Sequence, residues 1–362
     1  MNTARFTSAA VLCGVLALGA TACGDNGNGS SASSGVSGTI NGAGSTFAAP
    51  IYQQVGSDLE GKGLTVNYQP VGSGAGISQF EAGTIDFAGS DPALAAADTQ
   101  KIDQKNAPIQ VPFALGAITV SYNLPNVASG VKLDGATVAD IYLGKITKWN
   151  DPAIAKQNPG VSLPSTQITV VHRSDSSGTT QGFTRFLQDY SPQWKSQVGS
   201  DKEVKWPTGT GADGNTGVAA AVKQTEGSIG YVEQAYALQN HFTFAAVKNE
   251  GGKYVTPTLA STSAAADGIK IPADLGISTI NSPNSGAYPI VSQTFAITYD
   301  DPCKAGLSTT TADHLKFLLN YLVNTGQTTI KKLSYAPIPS RLKAKDQAAI
   351  DRMRCNGGAI GR

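Results

Sequence analysis

The run Ile168-Thr169-Val170-Val171-His172-Arg173-Ser174-Asp175-Ser176-Ser177-Gly178-Thr179-Thr180 decides the fold class. Ile168 to Val171 is a short apolar, β-branched stretch, the Ser and Gly residues after it are turn chemistry, and Gln181 to Leu187 opens an amphipathic helical pattern. A strand that passes through a turn straight into a helix is the repeating unit of an α/β sheet. In open sheets of that kind, ligands sit outside the carboxyl ends of the strands.

Working outward, the same alternation recurs. Strand-like runs fall at Leu64 to Tyr68, Thr84 to Phe87, Ile109 to Phe113, Ala117 to Tyr122, Ser228 to Val232 and Pro289 to Tyr299. Helical patterns fall at Ile51 to Leu59, Thr137 to Leu143, Val218 to Lys223 and Thr311 to Val323. No period of roughly 20 to 50 residues emerges, which excludes a repeat architecture. A chain of 362 residues suggests two lobes, each of roughly 100 to 200 residues. None of the turn-rich segments, Asn123 to Gly130, Asn158 to Ser165, Gly209 to Asn215 and Thr262 to Ser285, looks like a simple linker. A discontinuous arrangement, with the chain crossing between lobes more than once, fits that lack of a boundary.

With 40% hydrophobic residues, 15% charged and a net charge of +1, the composition excludes disorder and does not favour nucleic-acid binding. At the amino end, Arg5 precedes an apolar run from Ala9 to Ala20 and the small pair Thr21-Ala22, the anatomy of a secretory signal over residues 1–22. The run is short for a bilayer span. Cys23 after small residues resembles a bacterial lipobox, although Ala20 stands where Leu is usual, so lipidation of Cys23 and plain secretion are the two readings. Residues 23–38 are expected to form a Gly/Ser-rich flexible tether, which on the first reading begins at the lipidated terminus. Cys13 leaves with the leader, and an export route favours a disulfide between Cys303 and Cys355.

Four segments share one design, a β run followed by Gly or Ser and often by a helix. They are Gly42 to Phe47, Val71 to Gly76, Phe87 to Pro92 and His172 to Thr180. Glycine lets backbone N–H groups face an oxyanion, hydroxyls add donors, and a helix N-terminus adds partial positive charge. Arg173 supplies a planar fork for two oxygens of a tetrahedral anion, and Asp175 can hold that fork. Asp91 is the anomaly, since a carboxylate repels an anion unless the anion brings a proton. Phosphate does so at neutral pH and sulfate does not, so Asp91 selects phosphate.

Taken in order, several motifs make the chain resemble the phosphate-binding lipoproteins of the Pst ABC transporter. They are Ala43-Gly44-Ser45-Thr46-Phe47, Gly72-Ser73-Gly74, Asp86 to Asp91, Asp140 to Ile146 with Lys148 to Asp151, Arg173 to Thr179, Lys205-Trp206-Pro207, Gly227 to Glu233 and Tyr288-Pro289-Ile290. The resemblance implies a two-lobed, type II periplasmic-binding-protein-like α/β fold, each lobe a mixed sheet flanked by helices and joined by two hinge strands. Lobe 1 would comprise 39–114 plus 289–362 and lobe 2 residues 115–288, with crossings near Pro112 to Gly116 and Ala287 to Ile290. It assigns phosphate contacts to Thr46, Phe47, Ser73, Asp91, Arg173, Ser177, Gly178 and Thr179, with Asp175 in support. It further implies a non-catalytic monomer that delivers inorganic phosphate to permease subunits on the outer side of the membrane. No cofactor, metal or nucleic acid is expected, and membrane contact is expected only through the lipid anchor.

Rival motifs are weaker. Gly209-Thr210-Gly211-Ala212-Asp213-Gly214 fits GxGxxG, but Trp206-Pro207 breaks the strand that should lead into it. Gly56 to Lys62 fits GxxxxGK, yet Gly63 follows instead of Ser or Thr and the stretch sits in a helical pattern. His172, His241 and His314 lack paired-ligand spacing, and no serine lies in G-x-S-x-G, which leaves an exported phosphoesterase without its groups. A cell-surface structural protein would have no need for a convergent anion site.

Overall fold

In the computed structural model, which describes residues 37–361, the first strand has almost no strand signal. β1 (Gly38–Gly44) contains three glycines and begins at the last residue assigned to the tether. Gly42 packs on Phe87, and a Cβ there would lie 2.2 Å from the ring, so bulk is excluded where strand propensity would have asked for it. The leader 1–22, Cys23 and the rest of the tether up to residue 36 lie outside the described residues.

Seven further strands complete the main sheet path: β2 (Leu64–Gln69), β3 (Phe87–Ser90), β4 (Pro108–Tyr122), β5 (Thr169–Arg173), β6 (Thr210–Ala212), β7 (Ser228–Glu233) and β8 (Val291–Tyr299). The strand order is β2-β1-β3-β8-β4-β7-β5-β6. β1 is parallel to β2 and β3, β8 is antiparallel to β3 and β4, β4 is antiparallel to β7, and β5 is parallel to β7 and β6. The two runs read separately as Ile109 to Phe113 and Ala117 to Tyr122 are one strand. Ala114 and Leu115 between them are buried and pair with the short strand Ala336–Pro337, so the interruption in β-branched residues does not interrupt the ladder. β4 pairs with β8 up to Ala117 and with β7 from Ile118 onward, so it links the β1–β3 half of the sheet to the β5–β7 half.

Helices follow strands as the alternation requires: α1 (Ala49–Glu60) after β1, α2 (Ser73–Ala82) after β2, α3 (Ala96–Asp103) after β3, α4 (Gly178–Tyr190) after β5, α5 (Gly214–Gln224) after β6 and α6 (Gln234–Gln239) after β7. α7 (Ser340–Asp351) lies near the carboxyl end. α1 starts with Pro50 in its first turn, where a missing N–H costs nothing, and buries Ile51, Tyr52, Val55 and Leu59 at helical spacing. Each such side chain contributes roughly 1.5 to 3 kcal/mol of burial. α4 starts where the Ser177 hydroxyl accepts from the Thr180 N–H at 3.1 Å.

Aromatic packing anchors both halves: Tyr52 stacks on Tyr68 at 4.1 Å in one, and Phe183 stacks on Tyr231 at 4.4 Å in the other. Cys303 and Cys355 are bonded, as the export route suggested, and close a loop spanning 52 positions. Treated as lost chain entropy, that closure is worth about 4 kcal/mol. Among the described residues no helix is long and apolar enough to cross a membrane.

Candidate anion-binding site

The carboxyl ends of β1, β3 and β5 converge with the N-termini of α1, α2, α4 and α5. Gly178 records how tightly: a Cβ there would lie 2.6 Å from Asp91 Oδ2 and 2.6 Å from Ser73 Oγ, so only glycine fits between the end of β5 and those of β2 and β3. The Ser176 carbonyl accepts from the Gly74 N–H at 3.0 Å across the same junction. Among the described residues the backbone N–H groups of Thr46, Phe47, Gly178 and Thr179 donate to no protein acceptor. Buried N–H groups are rarely left so, and a cluster of them at helix N-termini is anion-binding chemistry.

Arg173 is 3% exposed. Its Nε donates to Asp175 Oδ1 at 2.6 Å and its Nη2 pairs with Asp175 Oδ2, while Nη1 donates to Thr179 Oγ1 at 3.3 Å. The Gly214 N–H at the start of α5 also donates to Asp175 Oδ1, at 3.0 Å. Burial pushes the Asp175 carboxyl upward, but the Arg173 fork and that N–H outweigh it and hold the group below the usual carboxylate range. Asp175 thus grips the Arg173 fork through both of its oxygens.

Asp91 is 1% exposed. Its Oδ1 accepts from Ser45 Oγ at 2.6 Å and its Oδ2 from Ser73 Oγ at 3.5 Å, and its backbone carbonyl is held by Gln293 Nε2 at 2.7 Å. Burial pushes its carboxyl up from 3.8 to about 6, against the hydroxyls of Ser45, Thr294 and Ser73 and the charge of Arg173, which lower it. It is therefore mainly ionised at neutral pH and able to accept a hydrogen bond.

All eight expected contact residues lie in this convergence. Phe47 is fully buried and its carbonyl accepts from Tyr335 OH at 2.6 Å, which leaves its N–H as the group it can offer. His172 is not placed as a base: its ring stacks on Trp206 at 4.7 Å and burial lowers its basicity, with Nδ1 3.0 Å from the Arg173 carbonyl.

Sequence reading missed Ser45 and Asn215. The segment Gly209 to Asn215, turn-rich in the sequence and matching a dinucleotide motif over Gly209 to Gly214, forms β6 and the start of α5, so its strand lies inside the motif and not before it. Its grammar, a strand end, glycines and a helix start, is that of the other four segments and could have placed it in the site. Gly56 to Lys62, the other rejected motif, falls on the last turns of α1 and beyond.

Residues 29–325 match the PBP superfamily domain. The chain is 40% identical to the phosphate-binding protein PstS of Xylella fastidiosa, over 85% of this chain and 84% of that one. It is 36% identical to PstS3 of Mycobacterium bovis, over 97% and 99%. In fold it is similar to the solved periplasmic phosphate-binding protein PfluDING bound with phosphate, with a TM-score of 0.70 and 24% identity over 86% of this chain and 93% of the other. The chain belongs to the PBP superfamily, in the family of phosphate-binding proteins PstS.

Proposed function

We propose that the protein captures inorganic phosphate outside the cytoplasm and delivers it to an ABC transporter, with no bond made or broken. The observation that carries this reading is a buried cluster of unpaired N–H donors and Arg173 around the Asp91 carboxylate, which is mainly ionised at neutral pH and, among the described residues, not paired with an arginine or lysine, as Asp175 is. Donors alone would accept sulfate and phosphate alike. An added acceptor favours an anion that brings a proton, because a fully deprotonated anion would leave buried lone pairs facing each other.

In this reading Thr46, Phe47, Gly178 and Thr179 bind through N–H groups, Thr46, Ser73, Ser177 and Thr179 add hydroxyls, Arg173 binds through its fork, and Asp91 accepts the ligand's proton. Lobe 1 (39–114 plus 289–362) and lobe 2 (115–288) hinge in β4 near Pro112 to Gly116 and just before β8, where the Ile118 N–H donates to Ile290 at 2.8 Å. Bonds that span the cleft support closure as the bound state: Lys202 Nζ meets Asp98 Oδ2 at 3.2 Å, and Tyr236 OH donates to the Thr46 carbonyl at 2.7 Å. The protein acts as a monomer, tied to the membrane by a lipid on Cys23, and hands its cargo to permease subunits.

Calorimetry with phosphate, sulfate and a phosphate monoester tests the reading. Phosphate is expected to bind with micromolar or tighter affinity, about −8 kcal/mol or better, and sulfate at least about a hundredfold more weakly. Equal binding of sulfate, or turnover of the ester by the purified protein, would overturn it.

A further inference from the structure

We infer that Asn215 is a positioning residue that fixes the direction of two hydroxyl protons, those of Thr46 and Thr179, so that both can only donate to the ligand. This rests on the phosphate reading above and adds to it a residue that touches no ligand itself.

Asn215 is the second residue of α5 and is fully buried. Its Oδ1 accepts from the Glu233 backbone N–H at 2.9 Å. A backbone N–H can only donate, so the carbonyl side of the amide is fixed and Nδ2 faces the other way. There Nδ2 donates to Thr46 Oγ1 at 2.9 Å and to Thr179 Oγ1 at 3.2 Å. The Asn215 backbone N–H also donates to Thr46 Oγ1, at 3.2 Å.

A threonine hydroxyl has two acceptor sites and one proton. Both acceptor sites of Thr46 Oγ1 are filled by Asn215. Those of Thr179 Oγ1 are filled by Asn215 Nδ2 and by Arg173 Nη1 at 3.3 Å. Neither hydroxyl donates to a protein atom among the described residues, so each proton is left for the anion.

Without Asn215 each hydroxyl can turn and offer a lone pair to the anion, which must then be undone on binding. Aspartate at this position is isosteric and still accepts from Glu233, but it presents a second acceptor to both hydroxyls and draws their protons away from the ligand. The tool for separating orientation from mere packing is a double-mutant cycle.

Phosphate affinity is measured by calorimetry for wild type, Asn215→Ala, Asn215→Asp, the pair Thr46→Val with Thr179→Val, and that pair combined with Asn215→Ala. Asn215→Ala is expected to weaken binding about tenfold and Asn215→Asp at least about a hundredfold. In the background lacking both hydroxyls, Asn215→Ala is expected to cost less than about twofold. Equal losses in the two backgrounds, or no loss in either, would overturn the inference. If the variants do not fold, the wild-type complex decides: hydrogen-bond couplings from the Thr46 and Thr179 hydroxyl protons to ³¹P support it, and their absence from a spectrum that shows other such couplings overturns it. Failure of wild type to bind phosphate would instead refute the underlying function.

Discussion

Asp91 and Asp346 are both carboxylates removed from water, and they end in different states. Asp346, on α7, is fully buried and among the described residues neither of its oxygens has a hydrogen-bond partner. Burial pushes it from 3.8 to about 8, so at neutral pH it keeps its proton. Asp91 is as deeply buried but faces the Ser45 and Ser73 hydroxyls and the charge of Arg173, and it stops at about 6. Burial alone makes a carboxyl a neutral filler, while burial with donors makes it an anion poised to accept. The donors, more than the carboxylate, mark the candidate site.

The largest expected effect lies at Asp346, outside the candidate site. The folded value of Asp346 is above its unfolded value, so the folded state holds more protons between about pH 4 and pH 8. The stability this group allows is fully present below about pH 4 and is lost as pH rises through about 8, a decline on the order of 5 kcal/mol. Asp346→Asn is expected to flatten that decline in denaturant titrations run from pH 4 to pH 9, with phosphate affinity unchanged within about twofold.

Next is Arg173→Ala, which strips the charge that lowers Asp91 and leaves Asp175 without its partner. Phosphate binding is expected to weaken by about 2 to 5 kcal/mol in calorimetry, and unchanged affinity would place Arg173 outside the site. Asp91→Asn should act on both stability and selectivity. Its folded value is also raised, so the ligand-free wild type loses stability as pH rises through about 6, by about 3 kcal/mol. The asparagine variant is expected to be the more stable of the two at pH 7.5 and to lose the preference for phosphate over sulfate. Smallest is Ser45→Ala, which removes the 2.6 Å donor and shifts Asp91 toward the state of Asp346 by about 1.5 to 3 kcal/mol. Its binding curve should fall away at a higher pH on the acid side than that of wild type.

The same contrast explains what was legible in the sequence. The donor segments announce themselves because glycine, serine and a helix start recur after a strand, and Arg173 and Asp175 are neighbours in the chain, so their pairing needs no tertiary information. β1 was not legible, since Gly42 is dictated by the Phe87 ring brought against it from another strand. Nor was the continuity of β4, whose middle is held by pairing with β8 and with Ala336–Pro337 far along the chain. Asn215 follows the GxGxxG match at Gly209 to Gly214 and carries no signal of its own, because its partners Thr46, Thr179 and Glu233 reach it only through the packing of α5. Asp346 carries no signal in the chain, because the burial that sets its charge state is a property of packing alone.

The most direct test is a high-resolution crystal structure grown with orthophosphate near pH 8. One tetrahedral anion is expected between the ends of β1, β3 and β5, with an oxygen within about 2.7 Å of an Asp91 carboxylate oxygen and others meeting Arg173 and the N–H groups of Phe47 and Gly178. A vacant convergence, or an anion bound with Asp91 turned away from it, would contradict recognition of the ligand by its proton.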